Sequence, residues 1–272
     1  MPIPFREMRR IIPTTFICFV VTACGGAAAM EPAPVAAPAP PSTAATTTTT
    51  IPSTTTTATT ETQNELNTDT LPEGASLVFK ASGAVDVFSD PDDEEPFLTL
   101  EPTTILGTVT VLAVLEGPEE GWARVMLPGR PNGSEGWVEV VETMLSVVNG
   151  QLVVDLSERT LTYYEAGDEV LVTTVAVGSS RNPTPTGSFF ITDNVTLADP
   201  NSPWGPHAFG LSARSETVTE YNGGDGIIGI HGTNKPGSIG NAASLGCVRV
   251  PNEVITELHE VIPIGTPVEI RA

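Results

Sequence analysis

Cysteine, histidine and basic residues are all scarce in this sequence. Three cysteines and three histidines are too few and too scattered for a metal site of the usual ligand spacing, so neither a metal nor a cofactor is expected. Lys and Arg total 12 against 33 Asp and Glu, a formal net charge of -21. A phosphate backbone would be repelled by such a chain, which excludes nucleic acid as an expected partner. Aromatic residues are missing from Gly25 to Val78, and no Lys or Arg occurs between Arg10 and Lys80. That stretch cannot supply a core, which leaves roughly 200 residues to fold, enough for one large or two modest domains.

What is present begins with an address. Arg6, Arg9 and Arg10 precede an apolar run from Ile11 to Val21 and then Thr22-Ala23-Cys24, the layout of an export signal. The run falls short of the ~20 apolar residues of an ordinary spanning helix. Val21-Thr22-Ala23-Cys24 resembles the lipobox of bacterial lipoproteins, which implies cleavage within 1–24, acylation of Cys24 and a lipid-anchored protein on the outer face of the cytoplasmic membrane, in the periplasm or in the cell wall. Residues 25–74 follow as a linker: Pro and Ala alternate after Glu31, and 12 of the 18 residues from Thr43 to Thr60 are Thr. Such composition has little to bury and stays extended.

From Ser76 the apolar pattern has period two, interrupted by turn signals at Asp90-Pro91, Glu116-Gly117-Pro118 and Pro131-Asn132-Gly133, which predicts a small antiparallel barrel over 75–143. Strands continue through 145–272, with a hairpin turn expected at Asn149-Gly150. One helix is expected near the end, capped by Asn252, with Val254, Leu258 and Val261 on its apolar stripe, His259 on its solvated flank and Pro263 as its stop. The fold class is therefore mainly β with one short C-terminal helix.

Cys18 would leave with the signal and Cys24 would be acylated, so Cys247 would remain as an unpaired thiol in an oxidising compartment. Such a thiol is either a buried small hydrophobe or a reactive group. Gly246 immediately before it lets the backbone turn and aim N–H groups at a developing oxyanion. His231 stands 16 residues upstream, at the end of the apolar run Ile227-Ile228-Gly229-Ile230, and an imidazolium there would stabilise a thiolate near neutral pH.

Ile230-His231-Gly232-Thr233-Asn234, then Ser244-Leu245-Gly246-Cys247-Val248-Arg249, resembles the L,D-transpeptidase catalytic domain of the YkuD type. Thr184-Pro185-Thr186-Gly187 and Ile264-Gly265-Thr266-Pro267-Val268 extend the resemblance over 145–272. One departure is Leu245, where many members carry a second His. The resemblance implies a β-sandwich in which Cys247 is the nucleophile and His231 the base, with a backbone carbonyl near Gly232 orienting the ring. Gly246 and Cys247 N–H groups would receive the oxyanion, and Ser244 would brace the loop. It also implies that Trp204 and His207 lie in a loop, Pro203 to Phe209, that borders the substrate cleft, with His207 either meeting substrate or facing solvent, and that Arg249 either meets a substrate carboxylate or closes a structural salt bridge.

The implied substrates are peptidoglycan stem peptides, joined in 3→3 cross-links with release of D-alanine, and the implied inhibitors are carbapenems. Hydrolysis as an L,D-carboxypeptidase, or transfer to a protein, would use the same thioester. Gly121-Trp122 and Gly136-Trp137 resemble the strand starts of bacterial SH3-like domains, with Trp122 and Trp137 expected in core or rim packing. An NlpC/P60-type endopeptidase is the enzymatic rival, but there the cysteine precedes its histidines. A wall-binding surface lipoprotein without catalysis is the other alternative, against which an intact His231 and Cys247 weigh.

Overall fold

The computed structural model describes residues 66–221 and 224–272. The expected signal, the Cys24 acylation site and the Thr-rich stretch lie outside the described residues. The described part is mainly β. Its N-terminal half holds β1 (Ser76–Lys80), β2 (Val85–Val87), β3 (Leu98–Leu100), β4 (Val111–Glu119), β5 (Trp122–Met126), β6 (Glu135–Glu139) and β7 (Leu145–Val148). Five of these form an antiparallel sheet in the order β6-β5-β4-β1-β7, and β2 with β3 makes a separate hairpin. The period-two pattern has its expected consequence in the buried side of these strands, Leu77, Phe79, Leu112, Val114, Ala123, Val125 and Val138. Trp122 and Trp137 are half-buried on the rim, Trp122 meeting Phe88 edge-on at 5.3 Å between ring centres.

The C-terminal half contains β8 (Gly150–Asp155), β9 (Thr160–Glu165), β10 (Asp168–Thr174), β11 (Val177–Gly178), β12 (Gly187–Thr196), β13 (His207–Arg214), β14 (Ile227–His231), β15 (Ala242–Ser244), β16 (Val248–Arg249), α1 (Asn252–Val261) and β17 (Pro267–Arg271). Eight strands form one mixed sheet, β10-β9-β8-β17-β12-β13-β14-β16, and β11 pairs in parallel with β15. Helix α1 packs on β13, with Ile255 and Leu258 buried in the core of Leu152, Phe209, Leu211, Ile230 and Val248.

Three local expectations are corrected. Asn149-Gly150 is not a hairpin turn: β7 pairs with β1 while β8 pairs with β9 and β17, so the chain crosses from one sheet to the other at this dipeptide. Residues 66–74 do not continue the linker. Leu66 and Leu71 pack on the N-terminal core, and the Asn67 amide donates to the Pro118 carbonyl at 2.8 Å. Asn252 does not cap the helix from outside; Pro251 occupies that position without a side-chain bond, and Asn252 begins the helix with its side chain committed elsewhere.

The two halves share a wall. Successive side chains of a strand point to opposite faces, so Phe189 of β12 enters the C-terminal core while its neighbour Phe190 enters the N-terminal one. Polar contacts reinforce the seam. Thr104 Oγ1 donates to Asp193 at 2.5 Å, Asn132 bonds the Arg214 N–H and carbonyl through its side chain, and Arg130 donates to the Ser215 carbonyl at 2.7 Å. Because Phe190 is fully buried, Phe190→Ala is expected to cost about 3–5 kcal/mol through lost burial and the cavity left behind. Denaturant unfolding followed by tryptophan fluorescence and by circular dichroism should give one coincident transition in the wild type, shifted to lower denaturant in the variant.

Candidate active site

A short parallel ladder assembles the site. β14 and β16 lie side by side with Ile230 opposite Val248 and His231 opposite Arg249, which places Cys247, one residue before β16, on the wall that His231 and Arg249 also line. All three face a cavity of about 440 Å³, together with Ser244, Leu245, Trp204 and the glycine-rich edge of β14.

The loop before the nucleophile is held by its own polar groups. Ser244 Oγ accepts from the Gly246 N–H at 3.1 Å and donates to the Cys247 carbonyl at 2.5 Å. Thr184 Oγ1 donates to the Gly246 carbonyl at 2.7 Å and accepts from the Gly178 N–H at 2.8 Å. Gly246 itself adopts φ +125°, a backbone conformation that requires glycine. One expected role is therefore corrected. With its N–H spent on Ser244, Gly246 supports the loop and does not donate to an oxyanion.

His231 is buried, and its Nδ1 lies 2.6 Å from the Gly232 carbonyl. A carbonyl can only accept, so Nδ1 carries the proton and Nε2 is left as the basic nitrogen of the neutral ring. Gly232 is fixed in turn by close approach. A Cβ on it would collide with Asn252 Oδ1, which accepts from the Thr233 N–H at 2.7 Å. Asn252 thus ties the segment after His231 to the start of α1.

The electrostatics overturn one expectation. Burial, opposed by the Gly232 carbonyl and assisted by the Arg249 charge, lowers the His231 pKa from 6.5 to about 4. The Cys247 pKa is raised by burial, against the pull of a Gly229 N–H and the Arg249 charge. Both shifts act toward uncharged groups, so the site favours neutral thiol with neutral imidazole over the thiolate–imidazolium pair.

Arg249 is half-buried and among the described residues pairs with no carboxylate, and its Nε is buried without a hydrogen-bond partner. The structural salt bridge left open by the sequence is absent there. Trp204 lines the cavity and meets Tyr221 edge-on at 6.3 Å. His207 does not join it. The ring stacks on His259 at 3.9 Å, beside Thr196 and away from the cavity-lining set, because its neighbour Ala208 takes the inward position on β13. The expected substrate contact from His207 is thus corrected, and His259 is half-buried in this stack and bonded to Asn194. Two supporting residues escape a reading of the sequence. Thr184 is signalled only by the Thr-Pro-Thr-Gly run that contains it, and Asn252 only as a helix cap.

Residues 149–270 match the YkuD family, described as the L,D-transpeptidase catalytic domain. YkuD of Bacillus licheniformis, named as a candidate L,D-transpeptidase, is 37% identical over 120 residues, which cover 44% of this chain and 64% of that protein. The protein of the same name in Bacillus subtilis is 34% identical over 120 residues, covering 44% and 65%. The chain thus spans just under two thirds of these relatives' length. Among solved structures, an L,D-transpeptidase from Mycobacterium smegmatis aligns at 17% identity over 72% of this chain and 97% of that one, with a TM-score of 0.39.

A depressed His231 pKa links the site to stability. The unfolded chain binds the proton from about pH 6.5 downward and the folded one only near pH 4, so stability is full above pH 6.5 and is lost as pH falls toward 4. A shift of this size corresponds to about 3 kcal/mol. Urea midpoints measured from pH 7 to pH 4 should fall steeply in the wild type and less in His231→Gln.

Proposed function

We propose that this protein is an L,D-transpeptidase acting on peptidoglycan stem peptides. The observation that carries the reading is that Cys247, an Nε2-basic His231 and Arg249 share one cavity wall, with Cys247 and Arg249 unpaired among the described residues. His231 Nε2 takes the thiol proton as sulfur attacks the carbonyl of the diamino acid that precedes the terminal D-alanine. The carbon–nitrogen bond breaks, the proton passes from His231 to the leaving amine, and D-alanine departs, leaving a thioester. An acceptor side-chain amine then attacks, His231 removes its proton, and the carbon–sulfur bond breaks to return the thiol. We assign oxyanion donation to the Cys247 amide, since Gly246 is committed to Ser244.

The same proposal includes what precedes the catalytic part. Cys24 carries a lipid anchor, residues after it form a tether, and the antiparallel sheet with its Gly121-Trp122 and Gly136-Trp137 strand starts is an SH3-like domain. These parts would hold the enzyme at the outer face of the membrane within reach of the wall. Strained lactams of the carbapenem type should acylate Cys247, since they present a reactive carbonyl to the same group.

Mass spectrometry of the purified protein with a disaccharide tetrapeptide tests the reading. A thioester adduct on Cys247, loss of D-alanine and a 3→3 dimer are expected, and Cys247→Ala should abolish all three. An adduct on another residue, or wild-type turnover by the alanine variant, would overturn it; D-alanine release without dimer would mark water as the acceptor.

Arg249 gives a second test. A guanidinium binds a carboxylate through two parallel hydrogen bonds that Lys cannot reproduce. Losing such a contact costs about 1.5–3 kcal/mol, or about 10- to 150-fold in kcat/KM. Arg249→Lys should show that loss as a raised KM for the native donor and none for a donor whose carboxylates are amidated.

A further inference from the structure

The cavity around Cys247 is not closed by the catalytic half alone. Two of its lining residues, Ile105 and Leu106, come from the N-terminal half, at the tip of the loop between β3 and β4. They are 73% and 54% exposed, so two adjacent aliphatic side chains stand open to solvent on the rim of the cavity. The tip is built rather than loose. Thr103 bridges Val109 across it, the Thr104 N–H donates to the Thr108 carbonyl at 2.7 Å, and the Gly107 N–H donates to the Thr104 carbonyl at 2.9 Å. Thr104 Oγ1 receives the Leu106 and Thr108 N–H groups while donating its own proton to Asp193.

Asp193 is the anchor. It is 1% exposed on β12 of the catalytic sheet, and both its oxygens accept from hydroxyls, one from Thr192 and one from Thr104. A buried carboxylate without its donors is heavily penalised, so this pair pins the loop tip against the strand that carries Val195, another residue of the same wall. The second docking point, Arg130 and Asn132 on Arg214 and Ser215, holds the N-terminal half at the start of the segment that leads to Val218 and Tyr221, also cavity residues.

We infer that Ile105 and Leu106 form an apolar lip of the substrate cleft, which contacts the aliphatic side chains of the acyl-donor peptide and makes the N-terminal half part of the specificity of the enzyme. The inference rests on the transpeptidase reading and extends it. Its occupant follows from continuity, because the lip belongs to the cavity that holds the nucleophile, and from chemistry. Arg249 takes the charged end of a donor, and the aliphatic side chains of Ile105 and Leu106 take an uncharged portion of the peptide.

Donor kinetics on the full chain decide it. Ile105→Ser with Leu106→Ser should raise the donor KM roughly tenfold, the scale of losing a few methylene contacts in an apolar site, with kcat within about twofold of wild type. Ile105→Val with Leu106→Ile should restore the wild-type KM. Both positions are exposed, so the variants keep the core intact. An unchanged KM in the serine variant, a fall confined to kcat, or an equal loss in the conservative variant would overturn the inference while the transpeptidase reading stands. A wild-type dimer in sedimentation that the serine variant dissolves, with KM unchanged, would assign the tip to self-association instead. Absence of turnover by the wild type would overturn the functional reading and this inference together.

Discussion

The parallel pairing of β14 with β16 is the constraint on which the site depends. Two paired positions, Ile230 with Val248 and His231 with Arg249, bring an imidazole, a thiol and a guanidinium from separate segments onto one wall. Parallel neighbours need a crossover connection, and here it is the run that contains β15 and the braced Ser244–Cys247 turn. That turn ends where β16 begins, so its shape decides where sulfur stands. Ser244 and Thr184 fix the carbonyls and the N–H of the turn, and Gly246 supplies the left-handed backbone that no side chain would tolerate.

The same burial that fixes the pair also discharges it. A histidine whose pKa is lowered to about 4 and a thiol whose pKa is raised favour a neutral resting site. In the reaction proposed above, the proton would then move as the bond to sulfur forms. The Arg249 charge favours the thiolate and disfavours the imidazolium at the same time. A carboxylate that neutralised Arg249 would make the imidazolium easier to form and withdraw support from the thiolate, so its effects on the two groups oppose each other.

Much of this is legible in the amino-acid sequence. Cys247, His231 and Arg249 stand out because an unpaired thiol, a strand-end histidine and a following arginine form an ordered pattern, and the fold brings all three to one cavity. The mainly β class and the single terminal helix follow from periodicity. What is not legible depends on pairing across the chain. His207 is the first residue of β13, and the alternation of that strand turns it toward His259. The Gly246 N–H looks free in the sequence but is consumed by a serine two residues away. The direction of the His231 and Cys247 shifts is not legible either, because the burial of an individual group cannot be read from its neighbours along the chain.

The joining of the two β segments through a common strand is the feature most hidden from the sequence, and Phe189-Phe190 shows why. Composition and turn signals separate an N-terminal from a C-terminal β segment, and nothing in either says that one strand faces both. Adjacent phenylalanines in a strand require two apolar faces, a hint that the C-terminal sheet is covered on its second side. With Phe190 in the N-terminal core, and Asp193 three residues on holding Thr104, β12 is the spine of both halves. Placing the loop tip against the cavity is then a consequence of core packing, since any shift of the N-terminal half would have to pull Phe190 from its site and strip Asp193 of a donor.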